Sequence, residues 1–506
     1  MAPARGPLPS APNDGPAPDE RPASSHPSRQ ETSTMFSDPD RNLDEVATIN
    51  YYQPREPDAP ELSDDWLTQR FVCEHCDDLR YCEERGTWLR WNGHKWQCEK
   101  TLLAFDRARL SNRAAASELA DEDDVTDRDL RGLASAKTRA AVVSLAKADR
   151  AVAVAANDLD KDRMFLACPG LAIDLEAHRQ RANKPEDFNT RAAGFAPAEG
   201  KPSKWLAFLG EVMDGDAEMV AYLQRVAGYC LTGNTSEHVL FFCYGTGRNG
   251  KSVMIEVLAD VLGDYAETAN MQAFTGDSSN RHLTEIAKLD GARLVTAVET
   301  EAGRPWAESR IKTLTGGDKV SARFMRKDEF VFSPQFKLMV AGNHKPTLAC
   351  PDEAMRRRIQ MIPFEVTIPP DRVDRQLKEK LLAEGPQILA WALEGLKDWQ
   401  RIGLAPTERV LAASSEYMAE EDCVAAWLEE CVDRSSGTEG TADLIAHYTD
   451  WAKRNGMPTL DHKLFASRLR AHGFTPHRTN RARGFKGLTL IHDIPAGLEC
   501  SGPDQF

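Results

Sequence analysis

The chain of 506 residues lacks any apolar run close to the roughly 18 residues that a membrane-spanning helix needs. Its first ten residues have no apolar core either, which excludes a secretory signal peptide at this position. Acidic side chains outnumber basic ones by 78 to 63, giving a net charge of −15. That balance excludes a uniformly basic nucleic-acid coat but leaves room for local basic patches. The eleven cysteines are scattered, as is typical of reduced thiols, so we expect a cytoplasmic protein with no membrane partner.

Cysteine pairs at the spacing of a structural zinc site are also scarce. Cys73 and Cys76 form one C-x-x-C pair, with Cys82 and Cys98 nearby, and no second pair follows at a usual spacing. Zinc binding by these four residues is an open alternative. Thiols packed in a small core are the favoured interpretation.

Large apolar residues are sparse in residues 1–60, which are rich in Pro, Ala, Ser, Asp and Arg. Such a segment cannot bury enough apolar surface to order itself, so we predict a disordered leader. The rest is long enough for several domains. We predict an α+β domain at 61–233, an α/β nucleotide-binding domain at 234–400, a helical linker at 401–435 and a last unit at 436–495.

The patterns before residue 233 predict short strands and amphipathic helices. Alternation around Gly93 favours a hairpin over residues 88–96, and 165–175 reads as a strand pair. The Ala-rich, charged segment 113–158 and the periodic segment 205–229 predict helices, the second as a helix pair.

Residues 239–263 predict a strand, a glycine-rich loop and a helix in succession. The apolar run 239–244 has the length of a buried strand, and apolar residues recur at helical spacing over 253–262. Between them lies the pattern G-x-x-x-x-G-K-[ST], which chance would supply in roughly two of a hundred such chains. Its positions are Gly245, Thr246, Gly247, Arg248, Asn249, Gly250, Lys251 and Ser252.

Each part of this pattern suits phosphate chemistry. The glycines let backbone N–H groups close around phosphate oxygens, and the helix N-terminus adds partial positive charge. Lys251 can reach the β and γ phosphates, and the Ser252 hydroxyl can ligate Mg²⁺. We therefore predict ATP and Mg²⁺ as cofactors, although the pattern alone does not reveal what hydrolysis drives.

Two later strands end in polar residues that could complete such a site. The first, over 292–298, is followed by Glu299 and Glu301, of which Glu299 is the preferred metal or water ligand. The second, over 336–341, is followed by Asn343, whose amide could orient the attacking water. A plain turn residue is the alternative for Asn343.

The same region of the chain also holds two short basic segments. Arg356, Arg357 and Arg358 precede an apolar strand, and one of them could reach the site of a neighbouring subunit to stabilise the departing γ phosphate. Alternation on both sides of Arg326 and Lys327 predicts a β-hairpin with a basic tip, which could contact a DNA backbone. A solvated basic cluster and an ordinary polar turn are the alternatives.

The residue pattern of the last unit predicts two helices followed by a basic hairpin. Residues 406–433 are helical in pattern, and two further helices precede a loop and strand that hold His477, Arg478, Arg481, Arg483 and Lys486. This order resembles a winged helix, in which a helix reads a groove and the wing binds phosphate. An accessory dimerisation unit with a solvated loop is the alternative.

In combination, these motifs resemble the superfamily 3 helicases, and most closely the phage and plasmid primase–helicases typified by the satellite-phage alpha protein and the related poxvirus NTPase. The match runs from about residue 64 to 400. Residues 79–96, 174–175 and 228–233 resemble the domain that precedes the helicase in this family. In the motor, the match is carried by Gly245, Gly247, Asn249–Ser252, 312–318 with Arg323, 341–346, Arg357, Arg358 and 362–364.

The resemblance implies an AAA+-like P-loop core, a homo-hexameric ring and ATP-driven 3′→5′ translocation on single-stranded DNA. It implies a role in replicating a phage, plasmid or integrated mobile element in a bacterium or an infected cell, on single-stranded and forked DNA. Lys251 and Ser252 would bind phosphate and Mg²⁺, Glu299 and Glu301 would supply the acidic motif, and Asn343 the sensor. Arg357 or Arg358 would be the arginine finger, and Arg323, Arg326 and Lys327 would contact DNA.

Fuller members of the family carry a primase domain ahead of this region, where this sequence has the leader of residues 1–60. We therefore expect no primer synthesis from this chain and, instead, a separate primase or polymerase as partner. A DNA-binding ATPase initiator or switch without processive unwinding is the alternative function, and a non-DNA NTPase is a weaker one.

Overall fold

The amino-terminal part of the fold joins a cluster of four helices to a small antiparallel sheet. The computed structural model describes residues 59–275, 281–298, 306–324, 328–348, 351–478 and 483–491. The first elements are α1 (Asp64–His75), β1 (Leu79–Cys82), β2 (Thr87–Trp91), β3 (Trp96–Cys98), α2 (Leu103–Glu118), α3 (Asp127–Leu133) and α4 (Ala136–Ala146). Strands β1, β2 and β3 pair antiparallel in chain order, which confirms the hairpin predicted around Gly93.

The start of α1 shows why the chain turns helical at that point. The Ser63 hydroxyl accepts a hydrogen bond from Trp66 N–H at 3.0 Å, which satisfies one of the donors left free at a helix start. Asp64 and Asp65 add negative charge where the helix dipole favours it.

A second antiparallel sheet and a helix pair lead to the centre of the molecule. They are β4 (Phe165–Cys168), β5 (Leu171–Asp174), β6 (Arg179–Arg181), α5 (Ser203–Val212) and α6 (Ala217–Leu231). Both the strand pair and the helix pair match the sequence prediction. The apolar faces of α5 and α6 lie in the largest hydrophobic cluster of the described residues.

The centre is a five-stranded parallel sheet with helices on both faces. Its strands adjoin in the order β13–β7–β12–β9–β8, which confirms the predicted α/β class. The elements of this region are β7 (Leu240–Tyr244), α7 (Lys251–Leu262), β8 (Ala266–Thr268), α8 (Arg281–Ala287), β9 (Leu294–Val298), α9 (Glu308–Gly316), β10 (Val320–Arg323), β11 (Glu329–Phe332), β12 (Lys337–Gly342), α10 (Glu353–Arg356) and β13 (Ile359–Pro363).

The central strands are apolar throughout because both of their faces are covered. Along β7, Phe241 and Cys243 lie in the cluster shared with α5, α6 and α7, whereas Leu240 and Phe242 lie in the cluster shared with α9. The strand therefore reads as a continuous apolar run rather than an alternating one.

Helices from the carboxyl-terminal third complete both layers. They are α11 (Leu377–Leu382), α12 (Gly385–Ile402) and α13 (Glu408–Glu420). Helix α12 crosses α6 so closely that a Cβ on Gly395 would lie 2.0 Å from the Gln224 carbonyl oxygen. Helix α13, in the segment predicted as a linker, covers the second sheet face with Tyr417 and Met418.

The last unit has its own core. Its elements are α14 (Cys423–Cys431), β14 (Val432–Asp433), β15 (Thr438–Gly440), α15 (Thr441–Arg454), α16 (His462–Ala471), β16 (Thr475–Arg478), β17 (Arg483–Lys486) and β18 (Thr489–Leu490). Trp427, Tyr448 and Phe465 contact one another in this core. Strand β17 lies between β15 and β16, so two helices precede an antiparallel hairpin, in the predicted order. Among the helices of the described ranges, none has both the length and the apolarity needed to cross a membrane.

Two buried cations lie at the amino-terminal edge of the parallel sheet. Arg293, just before β9, donates to the carbonyl oxygens of Leu231 at 2.6 Å and Phe165 at 2.5 Å. Lys337, the first residue of β12, donates from Nζ to the Thr232 carbonyl oxygen, and its Nζ lies 4.6 Å from the centre of the Tyr229 ring. Both side chains therefore satisfy carbonyl oxygens at the carboxyl end of α6 and join the sheet to the preceding region.

Burial gives Lys337 a pH-dependent effect on stability. It lowers the pKa of Lys337 from 10.5 to about 7, so between those values the unfolded chain binds more protons than the folded one. The free energy of unfolding should therefore rise with pH from 7 to 9 through this lysine. Lys337→Met should remove that rise, which chemical denaturation at pH 7, 8 and 9 would measure.

Lys288→Met is the matched control, because Lys288 is an exposed lysine paired only with Glu285 in the described structure. Its pH dependence should follow that of the wild type. An identical pH dependence in Lys337→Met and wild type would show that Lys337 stays charged in the folded state.

Candidate functional site

The carboxyl-terminal edge of the parallel sheet brings the predicted site residues together. Strand β12 lies between β7 and β9, with Gly342 opposite Tyr244 and Ala341 opposite Val298. The glycine-rich loop after β7 and Asn343 after β12 therefore leave the sheet at the same edge. This edge is where ligands bind in open parallel sheets.

Two glycines of the loop have neighbours so close that they leave no room for a side chain. A Cβ on Gly245 would lie 2.2 Å from the Phe364 carbonyl oxygen. Gly250 has φ +80°, and a Cβ there would lie 2.6 Å from the Val212 side chain and 2.9 Å from that of Phe208. Helix α5 thus supports the loop from below, and no larger residue fits at either position.

Lys251, the first residue of α7, directs its ammonium group back into the loop. Its Nζ donates to the Gly245 carbonyl oxygen at 2.6 Å and lies 3.3 Å from Asn343 Oδ1. Burial lowers the pKa of Lys251. The lysine and the asparagine are 92 residues apart in sequence, and the sheet brings them into contact.

The remaining loop residues divide between structure and exposed surface. Asn249 is 3% exposed, and its Nδ2 donates to the Phe364 carbonyl oxygen at 2.9 Å. The Arg248 carbonyl oxygen accepts from Ile368 N–H at 2.8 Å. The exposed loop positions, including the one at the start of α7, are Thr246, Arg248 and Ser252.

The acidic residues predicted for this site, Glu299 and Glu301, lie outside the described residues. Strand β9 ends at Val298, which is 54% exposed at the same sheet edge. The assignment of either glutamate to a metal therefore stays a prediction.

The three consecutive arginines have different surroundings. Arg356 Nη2 donates to Asp422 Oδ2 at 2.9 Å, and Arg358 Nε donates to Thr315 Oγ1 at 3.2 Å. The Arg357 side chain is 74% exposed, and its Nε lies 4.0 Å from a Glu353 carboxylate oxygen. Arg357 Nε also donates to the Glu353 carbonyl oxygen at 3.4 Å, within its own helical turn. Of the two predicted finger residues, Arg357 is therefore the exposed one, whereas Arg358 is half-buried and bonded to Thr315 of α9.

The predicted basic hairpin is present as β10 and β11. Arg323 lies opposite Glu329, with a charged-group separation of 3.9 Å. The rings of Phe324 and Phe330 stack at 5.6 Å beside the tip. The tip residues Arg326 and Lys327 lie outside the described residues.

Two arginines lie directly opposite each other on the carboxyl-terminal hairpin. Arg478 on β16 lies directly opposite Arg483 on β17, and both are exposed, as is Lys486. Like charges in opposite positions destabilise a strand pair, and a bound anion relieves that repulsion. The arrangement therefore suits phosphate binding. Arg481 lies outside the described residues.

The amino-terminal cysteines show no metal-like grouping. Within the described ranges, no group of three or more His, Cys, Asp or Glu side chains is arranged to hold a metal ion. Cys76 and Cys82 are buried, and burial raises the pKa of both thiols.

Several residues that shape the site could not be predicted from the sequence. Phe208 and Val212 support the loop from α5, and the Phe364 carbonyl oxygen receives Asn249. Asp422 holds one of the three arginines. An apolar face on α5 was evident from the sequence, but the surface that it covers was not.

Two family descriptions match different parts of the chain. Residues 38–214 match the family described as "D5 N terminal like", and residues 243–358 match a family of unknown function, DUF5906. The second match covers the loop, β9, β12 and the arginines.

Proteins of large viruses are similar to this chain. "Putative helicase L207/L206" of Acanthamoeba polyphaga mimivirus is 26% identical over 324 residues, which cover 59% of this chain and 34% of that protein. "Putative helicase 022R" of Frog virus 3 is 28% identical over 295 residues, which cover 53% and 30% respectively. The chain thus spans about a third of the length of these relatives.

Among solved structures, the apo NrS-1 C terminal region is similar at 10% identity with a TM-score of 0.46. The alignment covers 84% of this chain and 99% of that one.

The Asn249 hydrogen bond gives a test of the loop geometry. Asn249→Ala should weaken ATP binding, because the loop loses its attachment to Phe364. It should also cost about 1–3 kcal/mol of unfolding free energy, because the Phe364 carbonyl oxygen loses its partner. Titration with a fluorescent ATP analogue, together with denaturant unfolding, would measure both effects.

Asn112→Ala is the matched control. Asn112 is also fully buried, and its Nδ2 donates to the Leu133 carbonyl oxygen at 3.0 Å in the amino-terminal region. The change removes a buried side-chain amide far from the loop, and the variant should keep its ATP affinity. Equal ATP affinity in Asn249→Ala and wild type would contradict the structural role assigned to Asn249.

Proposed function

We propose that this chain, a member of the phage and viral primase–helicase family, is an ATP-dependent DNA helicase. The observation that carries the proposal is the position of Lys251. Its ammonium group lies in a glycine-rich loop at the carboxyl edge of a parallel sheet, within 3.3 Å of the Asn343 amide oxygen. A cation and an amide placed together at such an edge suit the binding of a nucleoside triphosphate.

The loop has the chemistry that ATP and Mg²⁺ require. Lys251 can move from the Gly245 carbonyl to a phosphate oxygen, and the exposed Ser252 hydroxyl stands at the helix N-terminus, where anions are stabilised. In this proposal Ser252 and Glu299 would hold Mg²⁺, with Glu301 in support, and Asn343 would orient water. When bound, Mg²⁺ would neutralise charge on the β and γ phosphates.

The proposed assembly is a homo-hexameric ring with an AAA+-like P-loop core. A finger must project from its own subunit to reach a neighbour's nucleotide. Arg357 is exposed and would do so by leaving its contact with Glu353. Its positive charge would stabilise the γ phosphate as it leaves.

The proposed DNA contacts lie on two hairpins. The β10–β11 hairpin carries Arg323 and, at its tip, Arg326 and Lys327, which would contact the DNA backbone by charge. The carboxyl-terminal unit would act as a winged helix, with Arg478, Arg481, Arg483 and Lys486 on its wing. Family relationship suggests 3′→5′ movement on single-stranded DNA, in replication of a phage, plasmid or integrated element beside a separate primase or polymerase.

Unwinding of forked DNA with ATP and Mg²⁺ tests the proposal. Lys251→Ala should abolish strand separation and lower ATP hydrolysis on the order of 10²–10³-fold, because the phosphates lose a buried cation. A gel-based strand-separation assay, with each tail blocked in turn, would report both unwinding and polarity. Lys288→Ala, an exposed lysine away from the sheet edge, should unwind like the wild type.

Hydrolysis on DNA without strand separation by the wild type would favour an ATPase initiator or switch. Full unwinding by Lys251→Ala would contradict the assigned site.

The finger makes a separate prediction. Arg357→Ala should lower hydrolysis by roughly 10³-fold or more, whereas Arg358→Ala should act mainly on stability, because Arg358 bonds within its own chain. Mixing Arg357→Ala with Lys251→Ala subunits should restore part of the rate, since an intact finger then faces an intact loop. Arg401→Ala, an exposed arginine on α12, serves as control. Absence of any restoration would place Arg357 outside the neighbour's site.

A further inference from the structure

Asp422 lies at the junction between the sheet and the carboxyl-terminal unit. It stands between α13, which packs on the sheet, and α14, which packs in the last hydrophobic cluster. The residue is 6% exposed, and its carboxylate accepts from Ala425 N–H at 3.0 Å as the cap of α14. Asp422 is therefore fixed in position by the helix that it begins.

The same carboxylate contacts both sides of the junction. Arg356, at the end of α10, donates from Nη2 at 2.9 Å. His472, at the end of α16, places Nε2 3.3 Å from Oδ2. These residues, Arg356, Asp422 and His472, are called the junction cluster below.

The junction cluster holds a charged carboxylate in a buried place. Burial alone would raise the pKa of Asp422, but the hydrogen bonds from His472 and Ala425 N–H and the charge of Arg356 outweigh burial and lower it. Loss of one partner would leave the others under-satisfied, so the cluster moves as a unit.

Helix α16 approaches the same region a second time. The buried Arg468 on α16 acts electrostatically on Glu308 of α9 and on Asp352. Asp352 caps α10 through Met355 N–H at 2.9 Å and pairs with Lys312 at 2.6 Å. The single-turn helix that precedes Arg357 is thus held at its start by Lys312 through Asp352, and at its end by Asp422, which also contacts His472 of α16.

We propose that Asp422 is a positioning residue that couples the carboxyl-terminal hairpin to the arginine finger. The inference rests on the proposed function, in which Arg357 serves the nucleotide of a neighbouring subunit. DNA bound by the β16–β17 hairpin would shift His472, and the junction cluster would pass that shift through Arg356 to Arg357. DNA binding would thereby change how the finger is presented.

Chain geometry makes this route short. His472 is followed by Gly473, with φ +90°, and then by β16 two residues later. Arg356 is the residue directly before Arg357. Phe474, between Gly473 and β16, is 6% exposed and packs in the last hydrophobic cluster, so the start of the hairpin is anchored beside His472. From His472 the route passes through the Asp422 carboxylate and Arg356 to the finger.

Asp422→Asn tests the coupling, because asparagine keeps the helix cap and removes the charge that binds Arg356 and His472. The measurement is steady-state ATP hydrolysis with and without single-stranded DNA, with KM for ATP and Kd for DNA. The stimulation of kcat by DNA should fall roughly fivefold or more, in the range of typical couplings between sites, while KM and Kd stay at wild-type values.

Asp461→Asn is the matched control. Asp461 caps α16 through Leu464 N–H at 2.7 Å, so the change removes the same kind of charge from the same kind of helix start in the same unit. It should keep the full stimulation by DNA. A loss of stimulation as large in Asp461→Asn as in Asp422→Asn would overturn the proposal in favour of general destabilisation.

His472→Ala is a second variant that leaves the cap of Asp422 and its Arg356 contact in place. It should also lower the stimulation, and it should have no further effect in an Arg357→Ala background, because the route ends at that residue. Full stimulation in Asp422→Asn and His472→Ala, with a wild type that DNA stimulates, would overturn the coupling alone. A wild type that does not hydrolyse ATP would overturn the proposed function itself.

Discussion

The parallel pairing of β12 between β7 and β9 is the constraint on which the rest of the structure depends. It aligns the carboxyl ends of three strands whose sequences are far apart, and so brings the loop of Lys251 beside Asn343. Purely parallel sheets occur almost only where both of their faces are covered. Helices α6, α7 and α12 on one face, and α9 and α13 on the other, provide that cover.

The two edges of the sheet have opposite roles. At the amino-terminal edge, Arg293 and Lys337 are buried against backbone carbonyl oxygens, which fixes β9 and β12 to the end of α6. At the carboxyl-terminal edge, the ammonium group of Lys251 donates to the Gly245 carbonyl oxygen, a contact that a phosphate would replace in the proposed function. Buried hydrogen bonds at one edge thus fix the strands whose opposite ends carry the candidate site.

Much of this fold could be predicted from the sequence because the central strands are buried on both faces and the loop needs its glycines. The runs before Gly245 and Asn343, and the antiparallel pair around Arg326, needed only local patterns. Partners distant in sequence could not be predicted. The pattern placed Asn249 in the phosphate loop, but it could not predict that the Asn249 side chain is buried and bonded to the Phe364 carbonyl oxygen. The sequence left the finger open between Arg357 and Arg358, because the partners Asp422 of Arg356 and Thr315 of Arg358 lie far away in the chain.

A structure of the protein with a non-hydrolysable ATP analogue and Mg²⁺ tests the central claim most directly. The quantity to measure is the distance from Lys251 Nζ to the nearest phosphate oxygen. We predict about 3 Å, with Nζ released from the Gly245 carbonyl oxygen. A nucleotide bound away from this sheet edge, or Nζ still on that carbonyl beside a bound nucleotide, would contradict the account.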